Sequence, residues 1–149
     1  PSIKFLLIRK EIKMNIKKIG IASALGFLTQ FAVGAVPMVL FYAPHGADMA
    51  EKFPNAVNAE PNMVIGLIGA IVFTVLFVVV LDKMGTSSIQ EGAITGAWFG
   101  AGLWFFFNTQ IMAMLKVIDF NFVLVDVLIS IVITGAAGAV IAFSFDRFK

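Results

Sequence analysis

The chain has no cysteine, which removes disulfides, thiolate metal sites and cysteine nucleophiles from consideration. It has one histidine, His45, too few for a self-contained multi-histidine metal site. Charge is scarce: Asp, Glu, Lys and Arg make up 13% of the 149 residues, against about a quarter in soluble domains. There is no nucleophile elbow, phosphate loop, dinucleotide fingerprint or His-Glu zinc motif. Apolar residues fill the gap. They make up 60% of the chain, with a mean hydropathy of +0.97, more than a soluble core of this length can hide. The composition is that of a single-domain bilayer protein with no visible catalytic constellation, so an enzyme is not expected.

Six of the eleven basic residues lie in residues 1–18 (PSIKFLLIRKEIKMNIKK). Phe5, Ile8, Ile12, Ile16 and Ile19 recur at helical spacing, with Arg9, Lys10, Lys13 and Lys17 mostly off that stripe. Such a pattern describes a basic amphipathic segment lying on the membrane surface. Together with Lys18, these cations are expected to meet anionic lipid headgroups on the cytoplasmic side. They form an interface belt rather than a nucleic-acid surface. Met14-Asn-Ile-Lys-Lys can also serve as a translation start, and a chain beginning at Pro1 is equally compatible with removal of an initiator Met. The basic-then-apolar stretch from Met14 continues to Tyr42 and is taken as a signal anchor rather than a cleaved signal.

Four apolar runs follow, at about 19–42, 63–81, 89–115 and 120–145, each long enough for a ~30 Å hydrocarbon core at ~1.5 Å per residue. The expected fold is all-α: a polytopic membrane protein with four transmembrane helices in an antiparallel bundle, occupying residues 19–149. Nine of the eleven basic residues lie in the N-terminal segment, at Lys83, and at Arg147 and Lys149. This bias predicts an N-in/C-in orientation. The sizeable connection, residues 43–62, is then an outer loop, with a short interfacial helix possible at 47–53 between Pro44 and Pro54. The connections at 82–88 and 116–119 are so short that the second, third and fourth spans must be sequential antiparallel neighbours.

Gly92, Gly96 and Gly100 recur every fourth residue, preceded at the same spacing by Ser88. Small residues in such a row let another helix approach closely, which is how helices associate in lipid. The partner follows from register. With the turn centred near Val117, residues whose numbers sum to about 234 share a depth, so Gly96 meets the level of Gly138 and Phe99 that of Gly135. Packing within one chain is preferred over a contact between copies. The same rule sets Asn108 level with Asp126, the only carboxylate deep in an apolar run. An ionisable residue at such depth is costly unless neutral, paired or hydrated, and is a functional candidate by default. Gln30 and Gln110 are possible further members. An interhelical hydrogen-bond clamp is preferred over a proton-linked or polar-substrate site.

Glu91, three residues after Ser88, has capping-box spacing, so capping is preferred over acid catalysis. The run Trp98, Phe99 and Trp104 to Phe107 spreads round the helix and must partly face lipid or another subunit. A pigment or quinone contact there, or haem or metal at His45, is not expected. Bound lipid is.

Glu91-Gly-Ala-x-x-Gly96, Asn108, Val125-Asp126 and the Gly-Ala-rich fourth run resemble small four-span bacterial inner-membrane proteins grouped as domains of unknown function. The resemblance covers Gly85 to about Phe145; the first half of the chain departs from it. It implies a four-span topology and a bacterial inner-membrane location, and draws attention to Asn108 with Asp126. It implies no activity. The expected function is a small accessory or scaffold subunit of a larger membrane assembly. The alternative is a homo-oligomeric proton-linked or small-solute carrier or channel using the Asp/Asn pair. Expected partners are membrane lipids, other membrane subunits or further copies of the chain, and no nucleic acid.

Overall fold

The computed structural model describes residues 15–148. The surface segment expected over residues 1–18 lies outside them up to residue 14, so Arg9, Lys10 and Lys13 do too. The described residues are helical, with no strand. The helices are α1 (Ile16–Pro37), a π-helical segment (Met38–Tyr42), α2 (Ala43–Lys52), α3 (Met63–Lys83), α4 (Ile89–Met114) and α5 (Phe120–Arg147). The start of α1, the α3–α4 turn and the end of α5 lie at one end of the bundle, here the terminal end. The π segment, the start of α3 and the α4–α5 turn lie at the far end.

Three stretches are long and apolar enough to cross a membrane: Ile16–Lys52, Met63–Lys83 and Phe120–Arg147. The chain is accordingly an all-helical integral membrane protein. At 26 residues, α4 is long enough on rise alone at ~1.5 Å per residue. Its glycines, two tryptophans and the Asn108-Thr109-Gln110 run dilute its apolar character.

Local chemistry sets the boundaries. Asn15, Asn62, Ser88 and Asp119 are N-caps, each accepting a hydrogen bond from the backbone N–H three residues on, at 3.1, 3.1, 3.2 and 2.8 Å. Each satisfies an orphan donor of the first turn. Gly85, at φ 71°, ends α3 with the 5→2 and 6→1 bonds of a Schellman motif, Gly85 N–H to Asp82 O and Thr86 N–H to Leu81 O. Glu91 caps as expected, shifted by one residue: its carboxylate accepts from the N–H and hydroxyl of Ser87 at 2.9 and 3.0 Å.

Two expectations change at the far end. The first apolar run does not end in a loop at Tyr42, because the helix continues to Lys52 through the π segment. Pro44 explains the local widening. It has no N–H and its ring crowds the carbonyl four residues back, and just before it the Ala43 N–H bonds to Met38 O, five residues back. A π turn absorbs such a defect without ending the helix. The helix after the π turn therefore occupies 43–52, not 47–53.

The packing is asymmetric. On α4, Gly92, Gly96 and Gly100 are buried against Thr134, Gly135 and Gly138 of α5. A Cβ on Gly92 would overlap the Gly138 carbonyl oxygen, and one on Gly138 would overlap that of Gly92. Gly96 also comes 3.2 Å from a Cβ on Gly138, in the register that the short turn requires. On α1, Gly26 admits the Ile141 side chain, whose Cδ1 would lie 2.9 Å from an added Cβ.

The core lies toward the terminal end, where Ile19 and Ala22 of α1 meet Phe77, Val78 and Leu81 of α3 and Ala137, Ile141 and Phe145 of α5. Lys18 and Asp82 close it with an ion pair at 2.7 Å, the Lys18 ammonium lying 4.2 Å from the Phe145 ring centroid. Between α3 and α4 the contact is aromatic. Phe77 stacks on Phe99 at 5.5 Å, and Phe73 lies 6.3 Å from Trp104. Bulky rings there hold the two backbones apart, whereas glycines let α4 and α5 close up. Residues 61–72 are all exposed, so the far half of α3 stands clear of the bundle.

Candidate functional site

The N-cap at Asp119 fixes the phase of α5. Val123, Asp126, Ser130 and Thr134 then fall on one buried face at three- and four-residue spacing. On α4 the glycine row runs 92, 96, 100, and Asn108 lies two further steps of four along the same face. The Asn108 side-chain amide donates to Asp126 Oδ2 at 2.5 Å. Both residues are nearly shut off from the surface, at 6% and 7% exposed.

The second carboxylate oxygen is taken by a residue that sequence reasoning missed. The Tyr42 hydroxyl donates to Asp126 Oδ1, so the π segment after α1, α4 and α5 meet at one carboxyl group. Tyr42 is the chain's single tyrosine and ends the first apolar run, a signal that could have singled it out. Its register could not be read, because the π turn shifts the helix face by one residue.

Above this triad sits an aromatic cap. Phe41 stacks on Phe122 at 5.1 Å and lies 4.4 Å from the His45 ring, which meets Phe122 edge-on at 5.5 Å. The His45 Nδ1 lies 2.9 Å from the Phe41 carbonyl oxygen. Since a carbonyl only accepts, Nδ1 is the protonated nitrogen and Nε2 is left as the acceptor of the neutral ring. His45 is exposed, but on α2 rather than in a loop.

The other polar candidates are elsewhere. Gln30 donates to Thr74 Oγ1 at 3.1 Å, joining α1 to α3, and does not reach Asp126. Gln110 is exposed on α4. Gly135 and Gly138 line the α4 contact as expected. Lys17 is exposed at the terminal end, while Lys18 is engaged by Asp82 rather than left free for a headgroup. Among the described residues, no three His, Asp or Glu side chains converge as a metal-binding group would require.

The site is therefore a buried carboxyl holding two neutral hydrogen-bond donors at a three-way junction in an all-helical integral membrane protein. No family model matches the chain, and no curated protein or solved structure matches it either. Support for the resemblance to four-span bacterial proteins therefore rests on the chain's own residues.

Proposed function

We propose that the protein is a small accessory or scaffold subunit, with α4 as a fourth membrane span, that packs into a larger membrane assembly. The observation that carries this reading is the far half of α3. There Met63, Val64 and Ile65 are 77, 67 and 68% exposed, and Cβ atoms on Gly66 and Gly69 would meet nothing within 4 Å. Small residues that serve no contact among the described residues suit close approach by a helix from another subunit. Both termini lie on the cytoplasmic side in this reading, as the lysine and arginine bias favours.

The test combines native mass in mild detergent with a bulky residue at Gly66 or Gly69. The wild-type protein should run with further subunits. Gly66→Leu should release it while leaving its own melting temperature unchanged. A wild-type protein that is monomeric in mild detergent would overturn the reading.

A second reading, a homo-oligomeric carrier, is favoured by the Tyr42–Asp126–Asn108 triad. It requires that the purified chain alone form a stable oligomer and move protons or solute in liposomes.

A further inference from the structure

We propose that Asp126 is an exchangeable proton-binding site, loaded through Tyr42 from the far end of the bundle. The proposal takes its site from the carrier reading and specifies the bound species. It does not require transport, since a subunit of a larger assembly can hold an exchangeable proton equally well.

Three observations carry it. First, the carboxyl has no counter-charge among the described residues. Among the described residues the ion pairs are Lys18–Asp82 and Lys52–Asp48, and Asp126 is in neither. From α1 and the π segment Tyr42 faces it, from α4 Asn108 does, and the cation on its own helix, Arg147, lies at the opposite end. At that end His45 on α2 sits in the cap over Phe122, and Asp119 caps the start of α5. The Asn108 side chain has both donors and an acceptor, and the Tyr42 hydroxyl can donate or accept, so the junction can hold the carboxyl with or without a proton.

Second, the ligand set suits a proton better than a metal ion. Both carboxylate oxygens already face hydrogens, from Tyr42 on Oδ1 and Asn108 on Oδ2. Asn108 presents its amide nitrogen rather than its carbonyl. A cation would need several oxygens turned inward, whereas a proton needs one.

Third, the triad has a polar group on its far side. Tyr42 follows Phe41, whose carbonyl holds the ring of exposed His45. His45 is exposed at that end, one helical turn beyond Phe41.

The transfer balances without a further reactant. A proton from hydronium joins Tyr42 Oη as the phenol passes its own proton to Asp126 Oδ1. One O–H bond breaks on hydronium and one on Oη, one forms on Oη and one on the carboxyl, and the phenol ends neutral. The protonated Oδ1 can then donate to Oη while Oδ2 keeps Asn108, so the junction stays connected in both states.

The test uses the full chain in liposomes with dicyclohexylcarbodiimide, which modifies protonated carboxyls in apolar surroundings, and locates adducts by peptide mass. Labelling at Asp126 should fall as the pH is raised. An infrared carboxylic-acid band absent from Asp126→Asn should fall with the same midpoint. In Tyr42→Phe, which removes the group through which the proton passes, the acid band should follow a pH jump more slowly than in wild type. A wild-type carboxyl that is never labelled and shows no acid band, or one whose band never titrates, would be a fixed clamp and would overturn the proposal. Protection from labelling by sodium at constant pH would replace the proton with a metal cation and overturn it as well.

Discussion

Replacing Gly96 with alanine is the sharpest test of how α4 and α5 are held together. An added Cβ would overlap the Thr134 carbonyl oxygen and lie 2.9 Å from its carbon and 3.3 Å from the Gly135 Cα. These are backbone atoms, so no rotamer change can make room and the helices must part. Parting also weakens the reciprocal approach of Gly92 and Gly138, where each Cα hydrogen points at the other's carbonyl, contacts worth about 0.5–1 kcal/mol each. Overpacking of this kind costs about 1–3 kcal/mol, and alanine's higher helix propensity returns up to about 1 kcal/mol. The expected net destabilisation is about 1–2 kcal/mol, or a few degrees of melting temperature for a chain of this size. Gly102→Ala is the matched control, on the same helix with nothing within 4 Å of its Cβ. It should be neutral or slightly stabilised. Both variants can be followed by near-UV circular dichroism during thermal unfolding in one detergent. Indistinguishable melting of the two would refute glycine-dependent packing of this hairpin.

Pro44→Ala restores a backbone N–H and removes the ring that crowds the preceding turn, so the π segment should relax to α-helix and turn Tyr42 away from Asp126. Its infrared carboxyl signature should then match that of Tyr42→Phe; a signature identical to wild type would show that proline does not hold the register. Asp82→Asn removes the charge paired with Lys18, whose side chain is 24% exposed against 22% for Asp82. For so accessible a pair the loss should be about 0.2–1 kcal/mol and should shrink with added salt. A larger loss that is insensitive to salt would mean that the pair is sealed by lipid.

The α4–α5 hairpin was legible because its turn is too short to leave the register free. Once Val117 is taken as the centre, simple depth arithmetic pairs Gly96 with Gly138 and Asn108 with Asp126, and the structure bonds the latter pair at 2.5 Å. The α1 side was not legible for the same reason turned round. The stretch from Ala43 to Asn62 spans twenty residues and imposes no depth relation, so no register distinguished Tyr42, and Gln30 is the residue the sequence suggests for the carboxyl instead. One backbone defect brought Tyr42 to it. Without the π turn, Tyr42 would point about 100° further round an α-helix of 3.6 residues per turn for each residue of register lost. The widening that accommodates Pro44 thus also decides which side chain reaches Asp126. Adjacency misled in a different way at α3 and α4. A short turn makes two helices neighbours, but it does not set how close they come. Phe73, Phe77, Phe99 and Trp104 fill the gap that glycines close on the other face of α4. Side-chain volume, rather than loop length, sets how far α3 stands from α4, and the far half of α3 stays clear of the bundle.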